Sequence, residues 1–324
     1  MKNWLKDYGA LLLIWVGLIG LFSLGSDRFF TGATFSSLAA QIPTLTVIAA
    51  GMTLVIITAG IDLSVGSVLG FAGAVFGVAL IGWELPIPLA IGLALLAGGF
   101  AGWVNGWISA KLRVPSFIVT LGMLEIARGL SYLLTDSQTQ YLGGALSSLA
   151  RPLPGVGLPA SFFIALAVVI ILQIVLTRTV FGRRIIAIGT NEEAVRLAGI
   201  NPLGPKIAVF AITGVLVGLG ALFYTARLGS SDPNAGSGLE LSAIAAVVIG
   251  GTSLMGGRGS VVSSFIGVLI IATLETGLAQ MGASEPLKRV ITGGVIVVAA
   301  IIDGWRTAGA AGPAALFRRV FSRN

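Results

Sequence analysis

Three stretches of this sequence place ionisable or amide side chains where an otherwise apolar chain has little ordinary use for them. The first is Gly60-Ile61-Asp62-Leu63-Ser64-Val65-Gly66-Ser67, which sets an acid between two apolar runs. A carboxylate at the centre of a membrane helix costs about 2.5–3.5 kcal/mol on insertion scales, so Asp62 belongs at a helix break or on a wetted face. There it can cap the helix expected from about Leu63, or, with Ser64, meet a ligand or form part of a gate. The second stretch carries Glu125 and Arg128, three residues apart and so able to share one helical face with Gly122 and Gly129. The two charges can neutralise each other or polarise something that passes them, and their face is expected to pack on protein rather than lipid. Asn105, on a stripe with Gly98, Gly102 and Ser109, can join two helices by hydrogen bonds or meet a hydroxylated ligand. Glu275 and Gln280 fall near the end of a later apolar run, where interfacial placement is expected.

The third stretch is Thr190-Asn191-Glu192-Glu193-Ala194-Val195-Arg196-Leu197-Ala198-Gly199-Ile200, followed by Asn201 and Pro202. Thr190 and Glu193 have the spacing of a capping box. Glu192 and Arg196 form an i, i+4 pair in the favourable order, and Gly199 then Pro202 stop the helix. Val195, Leu197, Ala198 and Ile200 give this short helix an apolar surface. It suits either docking onto a partner or an ordinary interfacial position.

Other chemistry is closed by composition. The chain has no cysteine and no histidine, which removes disulfides, thiolate metal sites and imidazole acid–base catalysis. No catalytic set and no metal cluster is expected. The glycine-rich run Gly250-Gly251-Thr252-Ser253-Leu254-Met255-Gly256-Gly257-Arg258-Gly259-Ser260 lacks the lysine followed by Ser or Thr that a phosphate loop needs. The chain is therefore expected to bind no ATP and no other cofactor of its own.

The elements that must position these residues are membrane helices. Hydrophobic residues make up 56% and charged ones only 10% of the 324 residues, against about 25% charged in soluble domains. Mean hydropathy is +0.99. A span needs about 20 mostly apolar residues. Ten segments qualify, at roughly 8–25, 42–59, 63–82, 86–110, 116–135, 160–177, 206–224, 239–255, 261–281 and 288–303. The eighth is short and glycine-rich. The expected fold is all-α and polytopic, one transmembrane domain over 1–324.

The net charge of +7 does not point to nucleic acid, because the basic residues sit in short clusters between apolar runs. With the N-terminus in the cytoplasm, fourteen of the 20 lysines and arginines fall inside, five outside, and Arg128 within a span. Both termini are thus expected in the cytoplasm. The loop at about 178–206 is then internal, and the acid-free tail 305–324 is expected to lie on the anionic inner leaflet. Glycines recur at small-xxx-small spacing: Gly66/Gly70, Gly73/Gly77, Gly98/Gly102/Gly106 and Gly214/Gly218. Close helix packing within one subunit accounts for them, and a subunit interface is the sharper reading.

Four ordered blocks give the chain a resemblance along nearly its whole length: GMTLVIITAGIDLSVGS at 51–67, VPSFIVTLGMLEIARGL at 114–130, FGRRIIAIGTNEEAVRLAGI at 181–200 and GLELSAIAAVVIGGTSLMGGRGS at 238–260. It resembles the ribose/xylose/arabinose-type permeases of bacterial ABC importers. That resemblance implies a non-enzymatic ten-helix subunit of the bacterial inner membrane, importing a monosaccharide by alternating access. It further implies an identical or related second permease, a cytoplasmic ABC ATPase that holds ATP and Mg, and a periplasmic sugar-binding protein. In that setting the helix at 190–200 becomes the element gripped by the ATPase. An inositol, nucleoside or other small polar solute on the same scaffold is the alternative cargo. An ion-coupled secondary transporter is disfavoured by the few acids in the spans and by the lack of paired broken helices.

Overall fold

The structure, a computed structural model, describes residues 4–307; the remainder of the expected basic tail lies outside the described residues. The chain runs as α1 (Trp4–Gly25), α2 (Gly32–Ile57), α3 (Val65–Gly77, continued by a π-helical turn, Val78–Gly82), α4 (Ile87–Leu112) and α5 (Ser116–Leu134). A short strand β1 (Gln140–Tyr141) and a single turn α6 (Ser147–Ala150) cross to α7 (Ala160–Arg178). Two short helices, α8 (Val180–Thr190) and α9 (Glu192–Leu197), precede α10 (Leu203–Leu228). Then come β2 (Ser230–Ser231), α11 (Leu239–Ile249), α12 (Val261–Gln280) and α13 (Glu285–Thr307). Strand β2 pairs antiparallel with β1, Gln140 opposite Ser231. Each of the ten expected segments contains a helix, but the eighth, expected over 239–255, is helical only to Ile249. Among the described residues eight helices are long and apolar enough to cross a membrane, while α11 is a shorter apolar helix of 11 residues. The protein is an all-α, multi-pass membrane protein.

Helix α2 is the axis of the fold. It starts ten residues before the expected span, at Gly32, and carries Pro43 inside a turn that surrounding helices support. From Leu38 to Ile57 most of its side chains are buried, chiefly against α7, α10, α11 and α12. Helix α1 lies outside this core, held on α12 by Phe22, Phe29 and Leu274 and by a hydrogen bond from Trp15 to the Thr273 hydroxyl.

In lipid nothing drives apolar helices together as water does, so close backbone approach decides which helices pair. The glycines at 98, 102 and 106 meet α10 face to face. A Cβ on Gly98 would lie 2.3 Å from the Gly214 carbonyl oxygen, and one on Gly102 2.2 Å from that of Phe210. Packing within the subunit is thus the use of these pairs. The glycines of α3 serve a different neighbour. A Cβ on Gly66 would meet the Gly236 carbonyl at 2.4 Å, one on Gly70 the Ala235 carbonyl at 3.0 Å, and one on Gly77 the Ser231 side chain at 3.2 Å. The segment 230–238 therefore descends along α3 from its far end towards its start, and α11 begins within the bundle. That descent is why α11 is only half the length of its neighbours.

Candidate functional site: the α8–α9 junction and the polar break

Helix α9 is shorter than the sequence suggests and is capped by a different residue. Asn191, in extended backbone, accepts a hydrogen bond from the Ala194 amide at 2.9 Å and is the N-cap. Thr190 instead ends α8, its hydroxyl donating to the Ile186 carbonyl at 2.9 Å. The expected Thr190–Glu193 capping box does not form. Asparagine and threonine both cap helices, and here the better cap sits one residue later. Beyond Leu197, Ala198 to Ile200 make the closing turn: Gly199, at φ +77°, lets the Ile200 amide return to the Val195 carbonyl at 3.1 Å.

The expected Glu192–Arg196 pair is present, and Lys206 at the start of α10 joins it, its Nζ 2.9 Å from Glu192 Oε2. Partial burial works against the Glu192 charge, but hydrogen bonds and charge from Lys206 and Arg196 outweigh it and hold its carboxyl below the usual range. Helix α9 is thus tied at its first turn to a membrane helix. Val195 is buried beneath it, whereas Glu193, Ala194, Ala198 and Leu197, the last 82% exposed, point away from the protein.

The junction behind α9 is tighter still. A Cβ on Gly189 would fall 1.7 Å from the Ile57 carbonyl oxygen at the end of α2 and 2.6 Å from the Gly257 amide nitrogen. That same amide donates to Ile57 O at 2.9 Å. The glycine-rich run at 250–260 is therefore the meeting point of α2, α8 and the α11–α12 connection. Sequence reasoning had excluded a phosphate loop there but gave no role to Gly189. Gln173 was also missed: its Oε1 accepts from the Val261 amide at 2.9 Å and caps α12 from α7.

The break between α2 and α3 gathers three of the candidate residues. Asp62 Oδ1 accepts from the Ser64 amide at 2.9 Å and the Ser64 hydroxyl at 2.6 Å. Ser64 Oγ in turn accepts from Asn105 Nδ2 at 3.0 Å. Two further amides of the break are met from α5: Ile61 N donates to Ser116 Oγ at 2.9 Å and Leu63 N to Thr120 Oγ1 at 3.1 Å. Asp62 is only 2% exposed, and Ser64 and Asn105 are equally buried. In this arrangement the three residues lock the start of α3 to α4 and face no open space. Asn105 Oδ1 keeps an unused acceptor.

Glu125 and Arg128 do not pair. The Arg128 guanidinium turns to the descending segment instead, donating to the carbonyls of Pro233 and of Ala235 (3.0 Å) and to Ser237 Oγ at 3.2 Å. Those carbonyls belong to non-helical backbone with no ladder to satisfy them, and a planar cation with five donors suits several acceptors at once. Glu125 stays exposed, as do Gly122 and Gly129, with nothing within 4 Å of a Cβ at either glycine. The face expected to pack on protein is uncovered within this chain. Arg128→Gln is accordingly expected to lower folded yield and thermal midpoint, because each orphaned buried acceptor costs about 1–3 kcal/mol. Glu125→Gln is expected to leave both at the wild-type level. Equal losses from the two changes, measured in detergent extracts, would restore the pairing.

Among the described residues no cluster of acids is arranged to hold a metal ion. The pattern of the family described as branched-chain amino acid transport system / permease component matches residues 34–300. Ribose import permease protein RbsC of Escherichia coli (strain K12) is 40% identical over 309 residues, spanning 93% of this chain and 95% of its own. Fructose import permease protein FrcC of Rhizobium meliloti is 32% identical (91% and 84%), and xylose transport system permease protein XylH of Escherichia coli (strain K12) is 35% identical (89% and 89%). No solved structure matches the chain. With a polytopic helical fold, a family match over residues 34–300 and relatives 32–40% identical along about nine-tenths of its length, this chain belongs to the family of ABC-importer permease subunits that includes the ribose, fructose and xylose permeases.

Proposed function

We propose that this chain is the membrane-spanning subunit of an ATP-driven importer for a monosaccharide of the ribose, xylose or fructose kind. The observation that carries the reading is the α8–α9 junction. An exposed short helix, rigidly capped and ion-paired to α10, abuts through Gly189 the last carbonyl of the central helix. Force applied to α9 by a partner passes directly to α2 and to the α11–α12 connection. Such a junction biases a rigid-body switch between two access states. The partner is a cytoplasmic ABC ATPase, which holds ATP and Mg, so the α8–α9 end and both termini lie in the cytoplasm. Glu193 and its exposed neighbours form the docking face.

The uncovered face of α5 is the second support. A glutamate and two glycines in a membrane helix are poorly matched to lipid, and intramembrane acids face a bundle interior or water. A second permease copy closes this face, and the solute passes between the copies along Glu125, delivered by a periplasmic sugar-binding protein. Arg128 sets the position of the descending segment beside that path.

Reconstituted vesicles with the cognate ATPase and loaded binding protein supply the test, scanned over pentoses, hexoses and inositols. ATP-dependent uptake of one monosaccharide is expected. Uptake that ignores ATP and follows an ion gradient would replace this reading with a secondary transporter. Orientation is checked in the same vesicles by single cysteines. A thiol at Ser148→Cys is expected to label from the side where sugar is offered, and one at Glu193→Cys from the side where ATP is bound.

A further inference from the structure

Two hollows lie along α4, one where its end meets the α9–α10 connection and one against α10. The first is a cavity of about 450 Å³ at the α8–α9 end, lined by Lys111, Arg113, Arg196, Gly199, Asn201 and Leu203. Three cations face it and no carboxylate does. Lys111 and Arg113 are exposed and take part in none of the ion pairs among the described residues. Arg196 spends one guanidinium nitrogen on Glu192, while its buried Nε has no partner. The second hollow is an apolar groove of about 700 Å³ further along α4, lined by Leu96, Gly99, Phe100, Trp103, Ile212 and Val215.

An aromatic ladder joins them. Phe100 and Trp103 stack with centroids 5.9 Å apart, and Trp103 and Trp107 at 6.4 Å. Four residues on comes Lys111. Leu96, Phe100, Trp103, Trp107 and Lys111 therefore form one stripe along α4, exposed throughout. From Phe100 to Lys111 the helix rises about 16 Å, comparable with the acyl region of one leaflet. On α10, half-buried Ala211 and exposed Val215 form the opposite wall of the groove, and Leu203 at the start of the same helix lines the basic cavity. A groove of this kind in water would call for a protein. Within a bilayer, with cations at one end and aromatic walls along it, it calls for an amphiphile.

We infer that α4 and α10 hold one anionic phospholipid of the leaflet at the α8–α9 end, its phosphate among Lys111, Arg113 and Arg196 and an acyl chain along Phe100 and Trp103. The headgroup meets the exposed part of the Arg196 guanidinium while Nη2 keeps its bond to Glu192, so a bound headgroup bridges the membrane surface to helix α9. The inference rests on the membrane reading alone and is independent of which solute is carried.

Native mass spectrometry of the purified full-length permease tests it. The probes are phosphatidylglycerol, phosphatidylcholine with the same chains, and glycerol 3-phosphate as the free anion. One phosphatidylglycerol is expected to be retained about tenfold more strongly than phosphatidylcholine, as basic juxtamembrane contacts select anionic headgroups. Lys111→Gln with Arg113→Gln is expected to remove that preference while the protein still elutes as a folded species. Should the double variant fail to fold, each single change is expected to reduce the preference by about half on a logarithmic scale. Trp103→Ala is expected to shorten retention of phosphatidylglycerol with the charges intact. Equal retention of the two lipids, or an undiminished preference in the charge variants, would overturn the site. Displacement by an excess of glycerol 3-phosphate would show a pocket for a free anion and overturn the lipid, as would retention unaffected by Trp103→Ala.

Discussion

Ala198→Arg and Ala194→Arg are each expected to abolish ATP hydrolysis stimulated by loaded binding protein, while the permease remains folded in the membrane. Both alanines are exposed and flank Leu197, which lies opposite buried Val195 on α9. A long charged side chain there meets no part of this chain, so the fold has nothing to lose. It does obstruct any partner that must close on the helix, since both the clash and the unpaired charge it buries oppose association. Asn191→Ala gives the contrasting case. It adds no bulk or charge to the surface but removes the cap, at a cost of about 1 kcal/mol, and should only weaken stimulation. Co-purification of the ATPase with each variant, together with ATPase rates with and without loaded binding protein, separates the outcomes. Normal association and full stimulation in both arginine variants would show that α9 is not the coupling element.

The second large effect is expected from a single methyl group. Gly189→Ala puts a carbon 1.7 Å from the Ile57 carbonyl oxygen, far inside contact distance, and 2.6 Å from the Gly257 nitrogen. Neither neighbour is a flexible side chain that can swing aside; both are backbone and bonded to each other. Overpacking of this kind costs about 1–3 kcal/mol and sometimes more. The cheapest relief is for α8 to lift away from α2, which breaks the path from α9 to the central helix and leaves only the Lys206 tie to α10. Gly189→Ala is therefore expected to lower the thermal midpoint and to uncouple ATP hydrolysis from sugar uptake, even where the ATPase still binds. Gly92→Ala serves as the control, because a Cβ there meets nothing within 4 Å. Tight coupling and wild-type stability in Gly189→Ala would mean that the junction transmits nothing.

The sequence made the helical segments readable because each span must be apolar over a fixed length, and lysine and arginine mark the loops. It placed the ion pair of α9 correctly, since Glu192 and Arg196 interact within one helical turn. It misplaced the cap, because Thr190 and Asn191 have similar local chemistry and only the preceding helix decides between them. The Glu125–Arg128 pairing failed for a related reason. Spacing shows which side chains can reach each other, but the stronger competitor, two helix-free carbonyls at 233 and 235, lies over 100 residues away in the chain. Asp62, Ser64 and Asn105 were each singled out, yet their union across α3 and α4 is a tertiary fact. Gly189 left no local mark at all: its neighbours Ile57 and Gly257 are distant in sequence, and a glycine among 46 attracts no notice.

The enclosure of α2 has a bearing on how the protein is made. Its chief partners, α7, α10, α11 and α12, all begin at or after Ala160, whereas α2 itself ends at Ile57. At about 5–20 residues per second, a ribosome needs about 5–20 s to supply the first of them. Throughout that interval the most protein-covered helix of the finished bundle stands in lipid or against the translocation machinery, with Thr44, Thr46 and Thr53 uncovered. Threonine hydroxyls can bond back to their own helix, as Thr53 does to Ala49 O at 2.6 Å, and so tolerate the wait. A charged residue at those positions would have no such recourse, and α2 carries none.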